Sequence, residues 1–165
     1  MTLFLYSPLH GLCHIAQVAT VPPGLWEKLS TLLERWMGEA LRAMARCSRA
    51  TGAGALDSAY QSLLADEFLR LLLLRFLFCS LALRLHRAFR TPPPAPQPAT
   101  QTSNQQQQQQ QTHPPRQLSY LPSCHPPLPE NELLAQPALQ RLLLDMASAL
   151  NCRHHFIEPA SDRQT

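Results

Sequence analysis

Lysine and isoleucine are almost missing from this 165-residue sequence. Thirteen of the fourteen basic side chains are arginine, Lys28 is the one lysine, and Ile15 and Ile157 are the two isoleucines. Leucine, present 31 times, favours helices over strands. Nucleic-acid-binding domains usually mix lysine with arginine and interleave aromatic residues. The composition therefore predicts an all-α fold and argues against nucleic acid as a partner.

The sequence also lacks the motifs of known catalytic sites. It has no Gly-rich phosphate loop, nucleophile elbow, paired catalytic carboxylates or HExxH motif. Its five cysteines are odd in number and widely spaced, which does not suit a disulfide framework and indicates a reducing compartment. Cysteine and histidine recur as direct neighbours, as at Cys13-His14 and Cys124-His125, and adjacent ligands are poor zinc geometry. We therefore predict an intracellular protein that is not an enzyme and has no catalytic residue, metal site or cofactor.

Acidic residues are missing from residues 68–129, which contain six arginines. The flanking parts are close to neutral: residues 1–67 carry five basic and six acidic side chains, and residues 130–165 carry three and five. A basic block between near-neutral ends suits an anionic membrane surface or an acidic partner protein.

Glycine and proline are missing from residues 58–89. The spacing of Ser58 and Gln61 matches a capping box, and Asp57 is an alternative cap. The sequence predicts one helix over residues 58–89, about 48 Å long at 1.5 Å per residue. The prolines that begin at Pro92 prevent it from continuing.

The apolar part of this helix has the length of a membrane span but contains four arginines. Twelve Leu or Phe residues in the window 68–87 contribute roughly −4 to −7 kcal/mol on the insertion scale, and Arg75 near the middle costs about 2.5 to 3.5 kcal/mol. The sum lies close to zero, so both insertion and burial in a protein core stay open. The candidate membrane or core residues are Phe68, Leu72, Arg75, Phe76 and Leu83.

The remaining chain divides by composition. Residues 1–24 predict an irregular N-terminal arm, and residues 25–47 an amphipathic helix that folds back on residues 58–89 as a helical hairpin. Residues 91–129 hold eleven of the sixteen prolines and a run of seven glutamines at 105–111, which predicts a disordered linker. Residues 130–151 predict a C-terminal amphipathic helix, and residues 152–165 a flexible tail.

Three LxxLL boxes start at Leu29, Leu69 and Leu139. In nuclear-receptor coactivators such a box is a short helix that docks in a hydrophobic groove. The third box lies on the helix that the linker would free for a partner. Its predicted partner-binding residues are Leu139, Leu142, Leu143 and Met146.

Two proline motifs lie in the predicted linker. Residues 90–96 fit the basic-xxPxxP pattern that Src-homology-3 domains bind, and residues 126–129 fit a pattern bound by WW domains. The predicted partner-binding residues are Arg90, Pro93 and Pro96 in the first motif and Pro126, Pro127 and Pro129 in the second.

These features predict an interaction or adaptor protein that binds other proteins through its proline-rich linker and amphipathic helices. The Leu/Arg-rich central helix would associate with a membrane, or the protein would be cytoplasmic. One alternative is a nuclear transcriptional co-regulator that uses the glutamine run and the LxxLL helices. Another is a young or overlapping reading frame, because GC-rich nucleic acid yields abundant Leu, Ala, Pro, Arg and Gln in almost any frame.

Overall fold

Seven α-helices form most of the computed structural model, which describes residues 1–89 and 121–158. In chain order they are α1 (Thr2–Tyr6), α2 (Pro8–Ile15), α3 (Pro23–Cys47), α4 (Ser58–Ala65), α5 (Glu67–Leu85), α6 (Glu130–Leu134) and α7 (Pro137–Ala149). Neither described range contains a strand, although one isolated antiparallel bridge joins His86 and Phe156. The predicted all-α fold is confirmed.

The N-terminal segment is helical, which corrects the prediction of an irregular arm. Ser7 adopts extended backbone at the N-cap of α2, and Pro8 occupies the first turn, where a missing N–H leaves no hydrogen bond unmade. Buried side chains then recur at helical spacing. They are Leu9, Leu12, Cys13 and Ala16. Both signals, the proline in the first turn and the helical spacing of apolar residues, are present in the sequence.

The central stretch forms two helices, where one was predicted over residues 58–89. Asp66 adopts extended backbone between α4 and α5, and its carboxylate accepts a hydrogen bond from the Leu69 N–H at 2.9 Å. Glu67 follows in the first turn, where the helix dipole favours a negative charge. An aspartate that caps a new helix therefore breaks the stretch at Asp66.

Helix α3 is amphipathic, as predicted, and it buries the face that contains Leu29, Trp36 and Met44. Its most extensive helix–helix contact is with α7. The Trp36 Nε1 atom donates to the Leu139 carbonyl at 3.0 Å, and its ring meets Phe78 of α5 edge-on with centroids 5.0 Å apart. The hairpin prediction is therefore incomplete, because α7 covers most of the α3 face that was assigned to the central stretch.

The ends of the described ranges also pack on the bundle. Leu128 and Pro129 are buried, and the Tyr60 hydroxyl donates to the Pro126 carbonyl. Residues 121–129, predicted as linker, are thus held against α4, whereas residues 90–120 lie outside the described residues. In the predicted flexible tail, Phe156 is buried and the Ile157 N–H donates to the Leu85 carbonyl at 2.9 Å. Residues 159–165 also lie outside the description.

Candidate interaction surface

An exposed apolar surface begins where α5 starts. Phe68 is 68% exposed, and Leu69 and Leu71 are each 38% exposed. Phe68 and Leu71 lie on the same side of α5, whereas Leu69 is about 160° from Leu71 around the helix axis; we call Phe68 and Leu71 the corner patch. The break at Asp66 positions them, because it turns the chain and starts α5 with apolar side chains in its first turns. Large exposed apolar groups on a rigid helix are typical of protein-binding surfaces.

Arg75 connects the corner patch to α1. Phe68, Leu71 and Arg75 share one face of α5 because they are three and four residues apart. The Arg75 Nη1 atom donates to the Leu5 and Tyr6 carbonyls at 2.9 and 3.1 Å, so it binds the last turn of α1. Tyr6, whose carbonyl accepts one of these bonds, is itself 81% exposed.

The candidate membrane or core residues divide between surface and core. Leu83 is buried with most of the C-terminal half of α5, while Leu72 and Phe76 are half-buried and Phe68 is exposed. Arg75 is half-buried on the α1 carbonyls. Within the described residues, no helix combines the length and the apolar character needed to cross a membrane.

Each LxxLL box has at least one leucine in the core. Leu29 of the first box and Leu73 of the second are buried. In the third, Leu139, Leu142 and Leu143 are all buried, as is Met146 on the same helix. The structure therefore corrects the expectation that this helix is free for a partner, because α7 packs on α3. Partner binding through these residues stays a prediction that requires α7 to leave the bundle.

The structure describes only the second of the two proline motifs. Arg90, Pro93 and Pro96 lie outside the described residues, so the first motif stays a prediction. In the second motif, Pro127 is exposed, Pro126 is half-buried and Pro129 is buried beside the buried Leu128. A WW domain could bind this segment only after it had left the bundle. The prediction placed the motif in a free linker, where no such step would be needed.

The buried cysteines are poor nucleophiles. Burial raises the pKa of the Cys79 thiol to about 11 and that of the Cys152 thiol to about 11, and it also raises the pKa of Cys13. Such thiols stay protonated at neutral pH and react slowly. The described residues also hold no group of three or more His, Cys, Asp or Glu side chains arranged to bind a metal ion.

An apolar cavity of about 460 Å³ lies between α1, α2 and the end of α5. It is lined by Phe4, Ile15, Leu83, Phe89 and Leu121, among others. A cavity of this size and lining can accept an apolar side chain, and it offers few polar groups to orient a substrate.

His86 is buried at the C-terminal end of α5. Its Nδ1 atom accepts a hydrogen bond from the Ala88 N–H at 3.3 Å, whereas its Nε2 atom has no hydrogen-bond partner among the described residues. The His155 ring stacks on it with centroids 5.6 Å apart. Burial lowers the pKa of His86 below its usual 6.5, the charge of His155 lowers it further, and the nearby Ile15 carbonyl opposes this effect.

The protein should lose stability when His86 is protonated. The folded state binds this proton less tightly than the unfolded chain does. The contribution of His86 to the free energy of unfolding is therefore complete above about pH 6.5, and it is lost as the pH falls toward the folded-state pKa. We expect the melting temperature to fall between about pH 7.5 and 5.5. The variant His86→Gln should show a weaker pH dependence, and the exposed control His154→Gln should match the wild type. Equal slopes for the wild type and His86→Gln would contradict the assignment.

The comparisons with known proteins agree on one family. The sequence model of the family described as Protein SCAI matches residues 1–89. Protein SCAI of Mus musculus is 32% identical over 161 residues, which cover 98% of this chain and 21% of the mouse protein. Protein SCAI of Homo sapiens is 31% identical over 161 residues, with the same coverage.

The chain thus spans about a fifth of the length of the curated relatives it matches. No solved structure matches it. A young reading frame without selected function would not be expected to align with these relatives over nearly all of its length. The family match covers more than half of the chain, and both relatives align with 98% of it. This chain belongs to the SCAI family.

Proposed function

We propose that this chain is a non-enzymatic protein-interaction module of a regulator of transcription and that it works in the nucleus. The glutamine run and the leucine-rich helices predicted this class as the alternative to a membrane-associated adaptor. Membership of the SCAI family supports a regulatory, protein-binding role over a membrane-bound one. The proposal concerns the part of a SCAI protein to which this chain corresponds.

The observation that carries the proposal is the corner patch. Phe68 exposes most of an aromatic side chain on a helix that a capping aspartate and the Arg75 contacts hold in place. Burying an aromatic side chain of this kind contributes roughly 1.5–3 kcal/mol to binding. Its partner is therefore a regulatory protein with an apolar groove that accepts Phe68 and Leu71.

The LxxLL boxes do not supply this contact in the folded chain. The second box contains Leu71 of the corner patch only at a variable position, and Leu73, its last leucine, is buried in the core. An LxxLL helix needs all of its leucines in the groove of the partner. The contact proposed here uses Phe68 and Leu71 instead.

The test is a transcription reporter with the full chain fused to a heterologous DNA-binding domain. We expect nuclear enrichment of the tagged protein and a change in reporter output that Phe68→Ser with Leu71→Ser abolishes. The control Leu41→Ser changes another exposed leucine, on α3, and should keep the activity. Circular dichroism should show that all variants remain folded.

Two outcomes would overturn the proposal. One is recovery of the protein in the carbonate-resistant membrane fraction with none in the nucleus. The other is reporter output that is the same for the wild type and the Phe68→Ser/Leu71→Ser variant. If the patch variant instead loses binding to the remaining part of a full-length SCAI protein, the groove belongs to that protein and not to a separate regulator.

A further inference from the structure

A row of basic side chains follows the solvent-exposed side of α3. Lys28, Arg35, Arg42 and Arg49 are spaced by seven residues, and Arg46 lies between the last two. All five are exposed. At 100° per residue they fall within roughly 60° of one another around the helix axis. We call these five residues the basic stripe.

The basic stripe is long and nearly straight. Residues seven apart are separated by about 10.5 Å along a helix, so the stripe extends for about 32 Å from Lys28 to Arg49. Arg49 lies in the turn just after α3, where Ser48 still has helical backbone, and its Nε atom donates to the Ala45 carbonyl at 3.2 Å. This bond holds the end of the stripe in line with the helix.

One carboxylate, Glu39, already binds within the basic stripe. Arg42 contacts it through two bonds, from Nε at 3.3 Å and from Nη2 at 2.6 Å. The hydrogen bond from Arg42 lowers the pKa of Glu39, and the charges of Arg42, Arg46 and Arg35 lower it further. At least three arginines of the stripe therefore act on one carboxylate position.

We propose that the basic stripe binds an acidic α-helix of a partner protein, one that presents carboxylates at seven-residue intervals. A helix with this repeat places its carboxylates about 10.5 Å apart on one face, which matches the spacing of the stripe. The planar guanidinium of arginine can bind both oxygens of a carboxylate, as Arg42 does with Glu39.

A nucleic acid fits this surface less well. The phosphates of each duplex strand repeat every 3.4 Å along the axis and wind around it, so a straight row at about 10.5 Å intervals meets few of them. No aromatic side chain lies on the face of α3 that carries the stripe, so a nucleic-acid base would find no ring there to stack on. The stripe lies on α3 and the corner patch on α5, so this proposal does not rest on the proposed function.

The experiment measures fluorescence anisotropy with the full chain and a labelled alanine-rich helical peptide of about four heptads that carries Glu at seven-residue intervals. Its control is the same peptide with Gln in place of Glu. A single-stranded and a double-stranded oligonucleotide of similar charge serve as the second kind of probe. We expect binding of the Glu peptide that weakens with salt, because exposed charge pairs are screened.

The variant Arg35→Gln/Arg42→Gln/Arg46→Gln should bind the Glu peptide at least about tenfold more weakly. The matched control Arg90→Gln/Arg116→Gln/Arg141→Gln removes the same net charge outside the stripe and should change the affinity by about twofold at most. Glu39→Gln removes the competing internal carboxylate and should tighten binding by about two- to threefold.

Three results would each overturn the proposal. The first is that the Gln peptide binds as tightly as the Glu peptide. The second is that the two triple variants lose the same affinity, which would indicate that net charge alone determines binding. An oligonucleotide that binds more tightly than the Glu peptide would assign the stripe to nucleic acid. Arg35, Arg42 and Arg46 have exposed side chains, and circular dichroism verifies the folding of every variant before binding is measured.

Discussion

Replacing Trp36 with alanine is expected to lower the free energy of unfolding by about 3–5 kcal/mol, a large part of the stability of a small domain. Trp36 is fully buried and joins three helices. It lies on α3, bonds the Leu139 carbonyl of α7 and packs edge-on against Phe78 of α5. Alanine would leave a cavity among these helices and a buried carbonyl without its donor.

Two further variants separate the contributions at this position. Trp36→Phe keeps most of the apolar volume but removes the donor to Leu139, and we expect it to cost about 1–3 kcal/mol. Trp26→Ala is the matched control, because Trp26 is half-buried beside His10 at the edge of the bundle; we expect a loss of about 1 kcal/mol or less. Urea unfolding followed by circular dichroism measures all three. A Trp36→Ala loss no larger than that of Trp26→Ala would show that α7 does not depend on this contact.

Replacing Gly11 with alanine is expected to destabilise the protein by about 1–3 kcal/mol, although alanine is the better helix former. A Cβ atom at this position would lie 2.5–2.8 Å from three ring atoms of Phe4. Phe4 is buried and packs on Phe78 with ring centroids 6.3 Å apart, so its ring cannot move away without disturbing the core. The close approach of α1 to α2 therefore requires glycine.

Gly38→Ala is the matched control within α3. Its new Cβ would lie 3.8 Å or more from the Arg42 guanidinium, an ordinary contact, so the better helix propensity should raise stability by roughly 0.5–1 kcal/mol. The double variant Gly11→Ala/Phe4→Leu tests the clash, because the smaller side chain leaves room for the methyl group. We expect Gly11→Ala to cost less in the Phe4→Leu background than in the wild type. An equal cost in both backgrounds would exclude the clash as the cause.

Local sequence rules account for several elements correctly. Apolar periodicity predicts α3, and α7 forms most of the amphipathic helix predicted over residues 130–151, whose first residues form the separate helix α6. The same rules could have found α2 through Ser7 and Pro8, and the break at Asp66 through the Asp-Glu pair. An apolar run without glycine or proline does not by itself distinguish one helix from two helices that meet at a capping residue such as Asp66.

The candidate site was less predictable. Phe68 was identified, but as a membrane or core residue, since sequence alone does not show which side of an apolar helix remains exposed. Leu142 and Leu143 were predicted at a partner interface and lie in the core. Their helix is amphipathic whether its apolar face packs in the core or binds a partner. Periodicity identifies the apolar face but not what covers it.

The sequence by itself determined the all-α class, the positions of α3 and α7, and the seven-residue spacing of the basic stripe. These follow from composition, periodicity and a proline in the first turn of each helix, which act over a few residues. Only the tertiary structure decided that α7 covers α3, that Arg75 binds α1 and that the start of α5 stays exposed. Trp36 and Leu139 are 103 residues apart in sequence. Several apolar helix faces compete for burial, and no local rule states which two of them will pack together.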